Sequence, residues 1–306
     1  MENLITLKDN YLLFCKNQKC LDEKTLKAYR IDLTQFLELI RINSLSAIDT
    51  NLLENYICQL HQIYKPKTVK RKIASVKAFF HYLEYKDYIS INPFSKIHIK
   101  FREPVILPKT IPLNTIELFL STMYNQLSFA KNDYQYKNTL RDIAVIELLF
   151  ATGMRISELC SLSPVNVNLI NRTVLIYGKG SKERIIQIGN EDVYQILRKY
   201  VQEYQHEIER TGHFFINHLG EPLSDQSVRR MIRKYTDAAA ISLHITPHMF
   251  RHTFATALLD ADVDIRYIQE MLGHSSINIT EIYTHVTTAK QMSILSTKHP
   301  RKDLRV

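Results

Sequence analysis

Three prolines fall within a seventeen-residue stretch near the end of the first third of the chain. Residues 96–112 read KIHIKFREPVILPKTIP and have no helical period, so we expect an extended linker there. A chain of 306 residues, 45% of them hydrophobic, is long enough to bury two moderate cores. The sequence therefore predicts two domains, residues 1–95 and 113–306, joined by a linker over residues 96–112.

The first part of the chain has the periodicity of amphipathic helices. Between Lys24 and Ile40 the apolar residues recur on one stripe, and Asp22 is a suitable N-cap. A second helix is predicted from about Pro66 to Tyr82. Its core face consists of Val69, Ile73, Val76, Phe80 and Leu83. The first domain is therefore predicted to be helical.

Both predicted helices carry basic residues away from their apolar stripes. These residues are Lys24, Lys27 and Arg30 on the first helix, and Lys67, Lys70 and Lys77 beside the small Ala74 on the second. Residues 1–112 hold 18 Lys and Arg against 11 Asp and Glu, a net charge of +7 out of a formal +9 for the whole chain. One basic face can be merely solvated. Two such faces in the more basic part of the chain favour contact with a DNA backbone.

The sequence predicts a cytoplasmic protein with no membrane anchor. Its four cysteines form no CxxC pair, which is typical of reduced thiols. The start, MENLI, does not resemble a secretory leader. No apolar run has the length that a bilayer-spanning helix needs.

The second part is predicted to be helical with one β-hairpin. An apolar helix over Thr139–Ala151 ends at Gly153, a residue suited to a helix C-terminus. Two β-rich runs, Thr173–Tyr177 and Arg184–Ile188, flank the basic tip GKGSK. The tip does not match the GxxxxGK[ST] phosphate loop, so we exclude a nucleotide site. With helices predicted from there to the end, the fold class is mainly α with a small antiparallel β-sheet.

Four segments of the second part carry side chains that could perform chemistry. They are TGMRISEL with Arg155 and Glu158, the hairpin tip with Lys179, TPHMFRHTFA with His248 and Arg251, and LGHSSINITEIYTH with His274 and Tyr283. Each segment has a structural explanation when it is taken alone. Arg155 can pair with Glu158 three residues later, a tip lysine can be simply exposed, and a buried His or Tyr usually satisfies a hydrogen bond of the core.

In combination, these side chains suit attack on a phosphodiester without a metal ion. Arginine can donate two parallel hydrogen bonds to phosphate and stabilise the charge of the transition state. A mobile lysine could protonate the leaving 5′ oxygen. A tyrosine nucleophile would leave a covalent phosphotyrosine, so rejoining would need no ATP. His248 and His252 have the spacing of zinc ligands, but Met249 replaces the glutamate of the metalloprotease pattern. We therefore expect no metal and no cofactor.

The four segments, in this order and at these spacings, resemble the tyrosine recombinase (phage integrase) family, and its compact Xer-type members in particular. The stretches KTLKAYRIDLTQF and TVKRKIASVKAFFHYL resemble the core-binding domain of that family. The resemblance implies a two-domain clamp around double-stranded DNA, with a helical core-binding domain and a mixed α/β catalytic domain. It also implies site-specific cleavage and rejoining of DNA through a covalent 3′-phosphotyrosine.

The resemblance implies a role for each reactive residue. Tyr283 would be the nucleophile, and His248 would support proton transfer at Tyr283. Arg155 and Arg251 would clamp the scissile phosphate, and His274 would donate a hydrogen bond to it. Lys179 would be the general acid, and Glu158 would orient the arginines. Four protomers would act on two sites, as a homotetramer or with a second recombinase. The segment after Tyr283, with Met292, Ile294 and Leu295, would pack on a neighbouring protomer or fold back on its own domain.

Two other functions use the same kind of residues. A DNA-relaxing enzyme of the type IB topoisomerase kind would share the nucleophile but act on any sequence. The small N-terminal domain and the C-terminal tail argue against it. A DNA-binding regulator that has lost catalysis is a third hypothesis, and the presence of all six reactive residues argues against that one. The sequence leaves the biological role open between dimer resolution and mobile-element integration or excision.

Overall fold

The computed structural model describes residues 3–42, 44–97, 108–178 and 183–273. It separates into two compact units, Met1–Val105 and Ile106–Val306, and the division falls within the stretch predicted as a linker. Each unit has its own cluster of buried apolar side chains. Over the described residues, no helix has both the length and the apolar character needed to cross a bilayer.

The described residues of the first unit form a bundle of α-helices. They are α1 (Leu4–Asn17), α2 (Glu23–Ile40), α3 (Thr50–Ile63) and α4 (Pro66–Tyr85), with a 3₁₀ turn at Leu45–Ala47. The predicted N-cap of α2 is confirmed, because the Asp22 side chain accepts a hydrogen bond of 2.9 Å from the Thr25 backbone. The apolar stripes of α2 and α4 face the core, where Leu33, Phe36 and Phe80 are fully buried.

The second unit is helical around a small sheet. Its described helices are α5 (Leu113–Ser128), α6 (Asp133–Thr152), α7 (Ile156–Cys160), α8 (Glu191–Thr211), α9 (Asp225–Ala238), α10 (Pro247–Asp260) and α11 (Ile265–Leu272), with a 3₁₀ turn at Pro164–Asn166. The strands are β1 (Val167–Asn168), β2 (Thr173–Tyr177) and β3 (Glu183–Gln187), antiparallel and in that order. The mainly α fold with a small antiparallel sheet is thus confirmed.

The structure corrects three details of the predicted elements. Helix α6 begins six residues before the predicted start, because the Asn132 side chain caps it by accepting a hydrogen bond from Gln135. Strand β1, two residues long, is too short to show an alternating pattern and was not predicted. The expectation of helix from the hairpin onward is wrong at 213–223. There the Tyr200 hydroxyl donates to the Phe214 carbonyl at 2.9 Å and accepts from the Ile216 amide at 3.0 Å.

The ends of several helices lie close together on one side of α10. Gly153 terminates α6 and Gly273 terminates α11, both in the left-handed conformation that favours glycine. Two residues after Gly153, Arg155 is the N-cap of α7. The Ile111 amide donates a hydrogen bond of 2.8 Å to the Thr253 hydroxyl on α10. These helix ends bring polar side chains close to backbone groups that have no partner within their own helix.

Candidate active site

Three arginines and one glutamate from different elements meet in the second unit. Arg155 and Glu158 lie at the start of α7, Arg184 lies on β3, and Arg251 lies on α10. The arginines bond either the glutamate or backbone carbonyls at helix ends. We call this group the arginine cluster, and it contains three of the predicted site residues together with Arg184, which was not predicted.

Glu158 is the buried anion of the arginine cluster. Its Oε1 atom accepts from Arg155 Nη1 at 2.7 Å, and its Oε2 atom accepts from Arg184 Nη2 at 2.7 Å and from the Arg155 backbone amide at 2.8 Å. Burial disfavours the charged form of Glu158, but the hydrogen bonds from Arg184 and Arg155 outweigh it and lower its pKa. The glutamate is therefore ionised at neutral pH and fixes both arginines.

Arg155 presents its guanidinium at the surface of the cluster. The turn at Gly153 and the fully buried Met154 side chain set the direction of the chain just before it. Its side chain is part-exposed, so the guanidinium can reach a ligand while Nη1 stays bonded to Glu158. The pair that the sequence offered as a structural alternative is thus present, and it leaves this arginine accessible.

Arg251 is buried between two helix ends. Its Nη1 atom donates to the Gly153 carbonyl at 2.8 Å, and its Nη2 atom donates to the Leu272 carbonyl at 2.6 Å. The last carbonyls of a helix lack partners within the helix and carry a partial negative charge. The guanidinium therefore satisfies the ends of α6 and α11 and holds both at α10.

His248 lies one turn before Arg251 on α10 and is exposed to solvent. Its pKa is lowered, first because the surrounding protein removes part of the water around the ring, and then by the positive charges of Arg251, Arg229 and Arg155. The pKa of His252 is lowered as well, by burial and then by His248 and Arg251. A histidine with a lowered pKa is neutral at pH 7 and can accept a proton. Two arginines of the cluster, together with Arg229 on α9, therefore disfavour the protonated form of His248.

The backbone at Gly153 leaves no room for a side chain. Its φ is +59°, and an added Cβ would lie 2.5 Å from Phe254 Cδ1 and 3.1 Å from Leu272 Cδ2. Real Cβ atoms do not approach another atom as closely as 2.5 Å, so any other residue would have to move the Phe254 ring and would also strain the left-handed backbone. Glycine at this position therefore allows the turn just before Arg155 to pack closely against α10, the helix that carries Arg251.

The structure places the predicted site residues unevenly. Arg155, Glu158, His248 and Arg251 are brought together, whereas Lys179, His274 and Tyr283 lie outside the described residues. Tyr177 pairs with Glu183, so the predicted tip lies between the ends of two described strands. The tail residues Met292, Ile294 and Leu295 also lie outside the described residues. Among the described residues, no group of three His, Cys, Asp or Glu side chains is placed to hold a metal ion.

Sequence reasoning missed Arg184 and Arg229. Arg184 and Ile186 point inward on β3 while their neighbours in sequence are exposed, so the signal for Arg184 was a charged residue on the apolar phase of a strand. Arg229 is exposed on α9, and its signal was the RRMIRK sequence of that helix. Arg184 opens the predicted β-run Arg184–Ile188 but was given no chemical role, and Arg229 lies outside the four segments.

The basic faces of the first unit are largely exposed. Lys24, Lys27, Arg30, Lys67 and Lys70 are all exposed to solvent. Lys77 is part-buried, and its ammonium lies 5.7 Å from the centre of the Phe94 ring. Arg71 on the same helix is also exposed and was not predicted. The surface has the charge that a DNA backbone requires.

Comparison with known proteins gives the same domain order. Residues 121–290 match the phage integrase family, and residues 9–86 match the phage integrase N-terminal SAM-like domain. A tyrosine recombinase of Agathobacter rectalis is 64% identical over 303 residues, covering 99% of this chain and 99% of the relative. The tyrosine recombinase XerD of Staphylococcus saprophyticus is 35% identical over 303 residues, covering 97% of this chain and 99% of that relative.

A solved structure supports the fold. The XerH site-specific recombinase, bound to a palindromic difH substrate in a post-cleavage complex, superimposes with a TM-score of 0.75. The match covers 92% of this chain and 82% of that one, at 24% sequence identity. At that identity the likeness concerns the arrangement of helices and strands alone.

Proposed function

The chain belongs to the phage integrase family of tyrosine recombinases, and from that premise we propose that it cleaves and rejoins double-stranded DNA at a defined site. The single observation that carries this proposal is the arginine cluster beside His248. Arg155 and Arg251 come from separate helices and flank a histidine that is neutral at pH 7. A preorganised group of cations of this kind stabilises a phosphorane-like transition state by several kcal/mol.

In the proposed reaction, the Tyr283 oxygen attacks the scissile phosphorus and the bond to the 5′ oxygen breaks. His248 accepts the phenolic proton, and Lys179 supplies a proton to the 5′ oxygen. Arg155 and Arg251 donate hydrogen bonds to the nonbridging oxygens, and His274 adds one more. The product is a 3′-phosphotyrosine, and attack by a 5′ hydroxyl reverses every step. The bond energy is conserved, so the reaction needs no ATP or other cofactor.

The first unit would hold the DNA through its basic faces. The net charge of +7 over residues 1–112 and the exposed lysines of α2 and α4 support contact with phosphates. A clamp formed by the two units, four protomers on two sites, and a cytoplasmic location are parts of the same proposal. Pairing with a second recombinase is the alternative assembly, and native mass spectrometry on DNA would distinguish the two.

A nicked DNA site that traps the cleaved state tests the proposed function. We expect a covalent protein–DNA adduct on denaturing gels with the wild-type chain and none with Tyr283→Phe. Tyr267→Phe is the matched control, because Tyr267 is an exposed tyrosine on α11 that has no assigned role, and it should form the adduct normally. An adduct that persists in Tyr283→Phe would show that another residue is the nucleophile.

The same preparation separates the alternative functions. Relaxation of supercoiled DNA of any sequence would indicate the topoisomerase activity, and specific binding without an adduct would indicate a regulator. Dimer resolution and mobile-element integration or excision both use the proposed reaction. Recombination between two copies of an inverted repeat found beside the gene would identify the substrate.

A further inference from the structure

We propose that Arg184 is a positioning residue of the recombinase reaction, which balances the charge of Glu158 and fixes the end of α11. This inference rests on the proposed function and adds a residue to it. Arg184 lies on β3 and is buried, with 9% of its surface exposed. It would act through Arg155 and through the chain that continues toward His274 and Tyr283.

Every nitrogen of the Arg184 guanidinium is engaged. Nη1 and Nη2 form a fork on the two carboxylate oxygens of Glu158, at 3.2 and 2.7 Å, and Nε donates to the Met271 carbonyl at 2.8 Å. One rigid planar group thus ties a strand to the start of α7 and the end of α11. Lysine could not reproduce these contacts, because it has a single donor nitrogen in place of a fork.

The charges explain why Arg155 needs this neighbour. Glu158 Oε1 lies 2.7 Å from Arg155 Nη1. Without another cation nearby, its negative charge would cancel the attraction of the Arg155 guanidinium for a phosphate. With Arg184 present, the group of two arginines and one glutamate keeps a net charge of +1. Without Arg184, the same group has no net charge. Since buried charges are poorly screened, that difference acts directly on a phosphate beside Arg155.

Arg184 also fixes the exit of the chain from α11. Arg184 donates to the Met271 carbonyl, and Arg251 donates to the next carbonyl along the chain, that of Leu272. Gly273 packs on the same guanidinium, since an added Cβ would lie 3.0 Å from Arg184 Nη1. The residue after Gly273 is His274, so both arginines hold the point from which the proposed nucleophile segment departs.

The test compares the rate of adduct formation at saturating DNA in four proteins: wild type, Arg184→Gln, Arg184→Lys, and Arg184→Gln combined with Glu158→Gln. We expect Arg184→Gln to react about 100-fold more slowly, with DNA affinity changed by less than about threefold. Arg184→Lys should be intermediate because it keeps the charge and loses the fork. The double variant should react faster than Arg184→Gln, because the unbalanced carboxylate is gone.

Arg172→Gln is the matched control, since Arg172 forms a part-exposed pair with Glu191 just before β2. It should react at the wild-type rate. If Arg184 only fills the core, then Arg184→Gln should lower the Tm, leave the rate of adduct formation per folded molecule unchanged and show no rescue by Glu158→Gln. That pattern in Arg184→Gln or Arg184→Lys, whichever folds, would overturn the positioning role alone. Absence of an adduct in the wild type would overturn the proposed function and the inference with it.

Discussion

In each unit of the protein, a buried carboxylate lies between a buried cation and a more exposed arginine. In the first unit, Asp32 pairs with Lys72, whose side chain is 3% exposed, and with Arg71, which is 47% exposed. In the second unit, Glu158 pairs with Arg184, which is 7% exposed, and with Arg155, which is 35% exposed. The two arrangements have the same charges, but they are built on different parts of the backbone.

The Asp32 cluster joins the middles of two long helices. Asp32 lies on α2 and its partners lie on α4, where Ser75 donates a further bond of 2.9 Å to the carboxylate. Glu158 instead lies at a helix start, and its arginine partner Arg184 also bonds a helix end. We infer that the first cluster stabilises the fold and the register of the basic faces. The second cluster positions donors for a ligand, so its loss should reduce the rate more than the stability.

The largest effect is expected from Asp32→Ala. The substitution leaves Lys72 buried without its carboxylate, and removing one partner of a buried pair costs about 3 kcal/mol of unfolding free energy. Urea unfolding of the purified chain measures it. Asp9→Ala, whose carboxylate is exposed beside Lys8, should change the free energy by less than about 0.5 kcal/mol. Equal unfolding free energies of the two variants would show that Asp32 does not stabilise the fold.

Arg155→Gln should reduce the rate of the reaction and leave the stability of the fold nearly unchanged. We expect adduct formation to slow about 100-fold, since a donor to the transition state is lost, while the unfolding free energy changes by less than about 1 kcal/mol. Arg198→Gln on the surface of α8 is the control for loss of one positive charge. If Arg155→Gln unfolds as readily as Asp32→Ala, then the two clusters do not differ in the way we infer.

Substituting lysines of α4 should lower the affinity for DNA without changing the rate of strand cleavage. For Lys70→Gln, the slope of log affinity against log salt concentration should become shallower by about 0.9, the value for one phosphate contact. Lys77→Gln should change the slope less, because its ammonium already lies over the Phe94 ring. Lys131→Gln, an exposed lysine of the second unit, serves as control. An unchanged slope in all three variants would show that this face of α4 does not bind DNA.

The smallest effect concerns the titration of His248. Its lowered pKa means that the folded state favours the neutral ring, so this group makes the fold less stable as the pH falls below its ordinary value of 6.5. Arg229→Gln removes one of the positive charges and should raise the pKa of His248 in an NMR titration. Arg233→Gln, one turn further along α9, should leave it unchanged. The same pKa in all three proteins would place Arg229 outside the electrostatic field of the site.

Much of this organisation follows from local sequence patterns. The α2 stripe with its Asp22 cap, the hairpin and the helix that presents His248 and Arg251 all arise from contacts within a few residues, and the structure confirms those elements. The roles of Lys179, His274 and Tyr283 stay predictions, because these residues lie outside the described part. For Arg184 the local pattern offered only a charged residue on the apolar phase of a strand, and its partners could not be identified because Glu158 and Met271 lie 26 and 87 residues away in the sequence.

The two carbonyls that hold Arg251 have a consequence for the binding of DNA. An arginine side chain that is free in solution loses about 2 kcal/mol of rotational freedom when it is fixed. Arg251 gives up that freedom when the chain folds, because the Gly153 and Leu272 carbonyls already restrain it. In the proposed reaction, an arriving phosphate would therefore meet a donor that is already immobile, and the entropy of ordering this side chain would not weaken each encounter.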